Sequence, residues 1–140
     1  MIGISNDRLK HSVGVARLMY EMSLQKRWSL EKSKEMFSLG FLHDIGYEFS
    51  ERQEEHPQIG GTMLKRQGYK YWKEVYYHGT VIDEYHSEEL MLLDVADMLI
   101  DSCGVRVEAT ERLEDILRRY GIESMQYKGA KLLAKELGLL

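Results

Sequence analysis

The segment FLHDIGYE spans residues 41–48 and follows an apolar stretch with helical periodicity. It places His43 beside Asp44, close to the predicted end of that helix. Neighbouring residues on a helix point about 100° apart, yet near a helix end both side chains can reach one ion. A carboxylate at the negative end of a helix is unfavourable unless a positive group compensates it. The pair therefore indicates a metal site; the alternative is an ordinary helix C-terminus that carries a histidine.

Three more histidines and one aspartate lie in similarly apolar surroundings: His11, His56, His78 and Asp97. Asp97 belongs to LMLLDVADMLI, and a carboxylate in so apolar a helix has to be paired, hydrogen-bonded or metal-bound. Imidazole and carboxylate groups are accepted ligands of transition ions. The whole set predicts a buried metal centre. Each member alone has an ordinary alternative, such as a hydrogen-bonded core histidine, a helix-end residue or a solvated helix face.

Composition limits the classes of protein that need to be considered. The 140 residues suffice for one hydrophobic core, and 44% hydrophobic with 30% charged residues is typical of a globular protein. The net charge of −4 comes without a basic stripe, so we expect no nucleic-acid polymer as partner. Cys103 is the only cysteine, which excludes a disulfide framework and favours a reducing cytoplasm. Neither a signal peptide nor a membrane-spanning run is expected.

Helical periodicity predicts an all-α protein, a compact bundle of about six or seven helices in a single domain, residues 1–140. The first helix is expected to begin near Asn6 and to reach about Lys26. The other predicted starts and ends are Ser29 to Gly46, Pro57 to Gln67, an aromatic helix ending near Gly79, Ser87 to Gly104, and two helices over 110–120 and 124–137.

The order His…His-Asp…Asp, carried by His11, His43, Asp44 and Asp97, resembles the HD-domain metal-dependent phosphohydrolase superfamily. The segments HSVGVA, GFLHDIG and LLDVADML are similar to its motifs, so the resemblance covers roughly residues 8–105. Two further histidines match the branch with a dinuclear centre. Within that branch, HPQIGG and YYHGT are similar to bacterial proteins that cleave diadenosine tetraphosphate with two irons.

The resemblance implies two divalent transition ions, with iron and manganese favoured by the imidazole and carboxylate ligands. One ion would take His11, His43, Asp44 and Asp97, and the second would take His56 and His78, with Asp44 bridging the two. Asp44 is therefore the expected catalytic residue. The implied reaction is hydrolysis of a nucleotide or a related small phosphoester by a metal-activated water.

The chain departs from the family pattern after the HD pair. Many members have a lysine where this chain has Tyr47. Arg52 and Arg106 are candidates to supply the missing positive charge, with an ordinary surface position as the alternative. Asp101 is a third candidate for substrate binding, and with Asp94 and Asp97 it is spaced to share one helix face. The acidic stretch VIDEYHSEE does not match the phosphate-binding segment of the diadenosine branch.

Several alternatives stay open at this point. The same ligand set occurs in a few HD-fold di-iron oxygenases, and a non-catalytic metal-binding sensor domain could keep the fold. His86 is either exposed or a substitute for His78 as a ligand. The terminal helices could form a homodimer interface.

Overall fold

The computed structural model describes residues 5–49 and 55–140 of the chain. These residues form seven α-helices and one short 3₁₀ helix, and their only bridge between extended residues is an isolated antiparallel pair, Ile100 with Arg106. The all-α prediction is confirmed. The helices are α1 (Asn6–Gln25), α2 (Leu30–Leu42), the 3₁₀ helix (Ile45–Glu48), α3 (His56–Arg66), α4 (Trp72–Tyr77), α5 (Glu88–Met98), α6 (Ala109–Tyr120) and α7 (Met125–Glu136).

Serine side chains cap four of these helices. In each case the Oγ accepts a hydrogen bond from the backbone N–H three residues later, at 2.9–3.2 Å, which satisfies a donor that the helix itself leaves unpaired. The capping residues are Ser5, Ser29, Ser87 and Ser124. The predicted starts at Ser29 and Ser87 are therefore confirmed.

The predicted end of α2 at Gly46 is wrong. The helix ends at Leu42 with His43 as its C-cap, and Gly46 lies inside the 3₁₀ helix. The glycine is needed for a different reason, because a Cβ atom at this position would overlap the carbonyl oxygen of His56. The turn after the HD pair therefore packs directly against the start of α3.

The predicted end of α5 at Gly104 is also wrong, because the helix stops at Met98. Asp101 ends up beyond the helix, and its carboxylate accepts hydrogen bonds from the backbone N–H groups of Cys103 and Val105, both at 2.9 Å. A short acidic side chain of this kind offers the backbone an alternative to the helix. Asp101 consequently does not share a helix face with Asp94 and Asp97.

The main core lies between α1, α2 and α5, with α3 and α4 packed against it. Gly40 lets α1 and α2 approach closely, since a Cβ there would lie 2.7 Å from the Cα of Ala16. A second apolar cluster joins α6 and α7 to the end of α5, and Leu99 packs against both clusters. Within the described ranges, none of the helices combines the length and apolar character needed to cross a membrane.

Candidate metal centre

Six side chains from five helices and their ends converge on one buried point. His43 is fully buried, and the ring of His78 is only 2% exposed. The contributing positions are His11 on α1, His43 at the C-cap of α2, Asp44 directly before the 3₁₀ helix, His56 at the start of α3, His78 at the C-cap of α4 and Asp97 in the last turn of α5. The structure thus brings together all six residues that the sequence singled out.

Backbone carbonyl groups fix the rings of three of these histidines. The Nδ1 atoms of His11, His43 and His78 lie 3.0, 2.6 and 2.6 Å from carbonyl oxygens. A carbonyl oxygen only accepts, so each Nδ1 carries the proton and donates it. Each Nε2 then faces the cluster, where loss of its proton would leave the lone pair that a metal requires. The acceptors are, in the same order, the carbonyl oxygens of Asp101, Gly40 and Val75.

One oxygen from each aspartate faces the pair formed by His11 and His43. The Oδ1 of Asp97 lies 2.7 Å from Nε2 of His11 and 3.4 Å from Nε2 of His43. The Oδ2 of Asp44 lies 3.3 Å from Nε2 of His43 and 3.8 Å from Nε2 of His11. Two ligands at right angles, each about 2.1 Å from one ion, lie about 3 Å apart. The spacing of these four atoms therefore suits a shared ion.

The other oxygen of Asp44 faces a second pair of imidazoles. Its Oδ1 lies 2.9 Å from Nε2 of His56 and 3.4 Å from Nε2 of His78, and the two nitrogens are 3.2 Å apart. Asp44 therefore directs its two oxygens toward two different groups of ligand atoms. A carboxylate that bridges two ions has this arrangement.

The surroundings of His43 show whether these residues fit a metal ion. Its buried Nε2 lies 3.3 and 3.4 Å from the carboxylates of Asp44 and Asp97, yet the atom has no partner that meets hydrogen-bond geometry among the described residues. A buried polar atom without a partner is costly in an ordinary core. A cation placed between these three residues would satisfy the nitrogen and both carboxylates, so the residues fit a metal.

Charge in the cluster is strongly coupled. Burial raises the pKa values of Asp44 and Asp97, but the nearby positive charge and hydrogen bonds of the histidines outweigh burial and hold both pKa values well below their ordinary range. Burial lowers the pKa of His43, yet the two carboxylates outweigh it and raise this pKa well above its usual value. Without a metal, a proton on the histidines therefore supplies the positive charge beside the two carboxylates. Protons and metal ions compete for this site.

Tyr47 forms one wall of the cluster. Its ring stacks on the imidazole of His56, with centroids 4.0 Å apart and planes 16° from parallel. The guanidinium carbon of Arg8 lies 3.2 Å from the centroid of the same ring. Burial and the charge of Asp44 raise the pKa of Tyr47 above its ordinary value, so its hydroxyl stays protonated near neutral pH. The sequence analysis missed Arg8, although its place three residues before His11 on α1 was an available signal.

Asp94 is a buried carboxyl that binds the backbone next to His78, a member of the cluster. Its Oδ1 accepts a hydrogen bond of 2.8 Å from the backbone N–H of Gly79, the residue that follows His78. Burial is the main reason why the pKa of Asp94 rises to about 7. The sequence places Asp94 one turn before Asp97 but does not reveal this partner.

The predicted substrate-binding residues that the structure describes contribute no side chain to the six-residue cluster. Arg106 is exposed, and Arg52 falls between the described ranges. The carboxylate of Asp101 binds backbone groups of its own turn, while its carbonyl oxygen accepts the hydrogen bond from His11. His86 is exposed, whereas His78 is in the cluster. Substrate binding by Arg52, Arg106 and Asp101 stays a prediction.

Comparison with known proteins identifies the family. The family model for the HD domain matches residues 8–100, a range that includes all six residues of the cluster. Neither the curated proteins nor the solved structures gave a match to this chain.

Proposed function

The chain belongs to the HD domain family, and we propose that it is a metal-dependent phosphohydrolase that acts on a nucleotide or a related small phosphoester. The observation that carries this proposal is the position of Asp44, whose two oxygens face two separate sets of imidazoles. Such an arrangement supports a two-ion centre rather than a single structural ion.

We propose that one ion is held by His11, His43, Asp44 and Asp97, and the other by His56, His78 and the second oxygen of Asp44. Iron and manganese suit this mixture of nitrogen and oxygen ligands. When bound, such ions would lower the pKa of a water so that it could lose a proton and attack phosphorus near neutral pH, and they would offset the charge on the phosphoryl oxygens.

The protein's own groups hold this centre in place. The carbonyl oxygens that accept from Nδ1 of His11, His43 and His78 fix each ring before any ligand arrives. Rings fixed in this way need no rearrangement when an ion binds, and such outer hydrogen-bond partners orient the ligands of a metal site. Burial of the imidazoles limits the access of bulk water to the ligand atoms.

The proposal is tested by phosphate release from a panel of nucleotides, dinucleoside polyphosphates and simple phosphomonoesters. The assay is run without oxygen, first with Fe²⁺ and then with Mn²⁺, on the native chain and on Asp44→Asn. The asparagine keeps the size of the side chain but loses the charge and one of the two bridging oxygens. Asp7→Asn serves as the control, because Asp7 is exposed in the first turn of α1.

We expect metal-dependent release by the native chain and by Asp7→Asn, and at least a hundredfold loss in Asp44→Asn. Release that is equal in Asp44→Asn would contradict the proposal. So would an activity that appears only with dioxygen, because that result would indicate an oxygenase.

A further inference from the structure

We propose that Arg8 binds the phosphoryl oxygens of the substrate and supplies the positive charge that many family members take from the lysine replaced here by Tyr47. This inference rests on the proposed phosphohydrolase function. It starts from three groups that lie one upon another beside the metal centre: the guanidinium of Arg8, the ring of Tyr47 and the imidazole of His56.

The geometry of this Arg8–Tyr47–His56 stack fixes the place of the cation. The guanidinium carbon of Arg8 and the ring of His56 lie 3.2 and 4.0 Å from the same ring centroid, so they occupy opposite faces of Tyr47. The imidazole at one end of the stack has its Nε2 2.9 Å from Asp44. Arg8 is thus one aromatic ring away from a residue of the metal centre.

The position of Arg8 on α1 leads to the same conclusion. Arg8 and His11 are three residues apart on one helix, so their side chains lie on the same face. The helix that contributes the imidazole of His11 therefore also carries Arg8 on the same side, where its guanidinium contacts Tyr47. Arg8 is partly buried, whereas Arg17, further along α1, is exposed.

The guanidinium is free to bind an anion in this position. The group carries five N–H donors, so its contacts with the ring and hydroxyl of Tyr47 leave donors for an anion. Among the residues that the structure describes, no carboxylate forms an ion pair with Arg8. A guanidinium that is held by an aromatic ring and lacks an acidic partner can donate hydrogen bonds to two phosphoryl oxygens side by side.

The charge of the substrate favours such a group. A phosphoester that approaches Asp44 and Asp97 meets two carboxylates, and the bound ions have to balance these as well as the substrate. Within the described ranges, Arg8 is the cation that contacts a wall residue of the cluster. It is therefore placed to attract the anion to the ions and to orient it.

The test measures binding of inorganic phosphate by titration calorimetry to the chain loaded with Mn²⁺. The variants are Arg8→Ala, Arg8→Lys and the matched control Arg17→Ala, an exposed arginine on the same helix. Metal content and thermal unfolding are recorded for each variant, so that a folding defect is recognised. KM and kcat are measured in parallel on the best substrate of the native chain.

We expect phosphate to bind about tenfold to a hundredfold more weakly to Arg8→Ala, because charge-assisted hydrogen bonds are lost. Arg8→Lys should lie between Arg8→Ala and the native chain, since lysine keeps the charge but not the planar fork, and Arg17→Ala should bind as the native chain does. The loss should also appear as a raised KM.

Native affinity for phosphate in Arg8→Ala with normal metal content would overturn the inference, as would a metal-loaded native chain that binds no phosphate. The proposed function would stand after either result if the native chain still hydrolyses a phosphoester and Asp44→Asn does not. Conversely, phosphate binding that depends on Arg8 in a chain without hydrolytic activity would refute the proposed function and support the anion site.

Discussion

Backbone carbonyl groups determine which ring nitrogen of these histidines is available to a metal. Nδ1 of His43 donates to Gly40 three residues earlier, and Nδ1 of His78 donates to Val75 in the same way. Both rings sit at helix C-termini, where carbonyl oxygens lack a partner within the helix. The end of a helix thus selects the tautomer that leaves Nε2 free for a metal.

Asp94 should act as a positioning residue for His78. Asp94→Ala removes the acceptor of the Gly79 N–H and leaves a partly buried donor unpaired, which we expect to lower the free energy of unfolding by about 1–3 kcal/mol. It should also weaken binding of the ion at His56 and His78. Asp94→Asn keeps an acceptor oxygen and should retain both ions, as measured by metal content. Equal metal content in Asp94→Ala would contradict this role.

Asp94 should also make the stability of the metal-free chain depend on pH. Its pKa is raised from 3.8 to about 7, so the folded chain keeps a proton that the unfolded chain loses. The stability due to this group is complete below about pH 4 and is lost as the pH rises through about 7. In urea unfolding, the free energy of unfolding of the native chain should therefore fall from pH 5 to pH 8 relative to that of Asp94→Asn. A constant difference between the two proteins would refute the assignment.

The identity of the six cluster residues could be predicted from sequence, but their partners could not. Residue types, order and apolar surroundings were sufficient to choose His11, His43, Asp44, His56, His78 and Asp97. The partner of His11 is the carbonyl of Asp101, 90 positions away, and a carbonyl leaves no signal in sequence. Arg8 was missed because its value depends on the ring of Tyr47, which is distant in sequence.

At the scale of elements, the close approach of the 3₁₀ helix to α3 holds Asp44 and His56 together. Gly46 makes this approach possible because a side chain there would overlap the backbone of His56. The prediction that Gly46 ends α2 was wrong because a close contact and a helix stop both select glycine, and here the close contact is the reason for it.

Gly46→Ala should separate these two elements. We expect a loss of about 1–3 kcal/mol or more in the free energy of unfolding, together with weaker metal binding. The matched control is Gly129→Ala on α7, where a Cβ meets nothing within 4 Å and should stabilise the helix by about 0.5–1 kcal/mol. Urea unfolding and metal content measure both effects. Normal metal binding by Gly46→Ala would contradict the importance of this contact.

Helix ends were the least predictable elements for a related reason. The starts at Ser29 and Ser87 carry a local signal, the serine hydroxyl that caps the helix. The end of α5 depends on Asp101, whose carboxylate takes the N–H groups of the following turn. The contacts of this turn determine whether the backbone N–H groups bind the side chain of Asp101 or continue the helix. The helical pattern of the sequence continues beyond Met98 and therefore did not indicate this end.

At the scale of the whole molecule, we propose that residues 1–140 form one domain, although the family model ends at residue 100. Leu99 packs against both apolar clusters and so couples α6 and α7 to the main core. Amide hydrogen exchange should then show the most protected amides of α7 opening together with those of α1. Earlier exchange of all amides in α6 and α7 would indicate a separate unit.

A homodimer through the terminal helices and a cytoplasmic location stay predictions. Met125 is 86% exposed and Ile122 64% exposed, so both offer apolar surface at the start of α7. Sedimentation of the native chain and of Met125→Glu would show whether this surface joins two copies.

We propose that the six residues form one two-ion centre bridged by Asp44, and the number of metal ions bound per chain tests this. The native chain and Asp44→Asn are loaded with Mn²⁺ without oxygen, freed of excess metal and measured by elemental analysis. We predict close to two ions per native chain and a loss of both ions in Asp44→Asn. A native chain that keeps no ion, or an Asp44→Asn variant that keeps two, would contradict a two-ion centre bridged by Asp44.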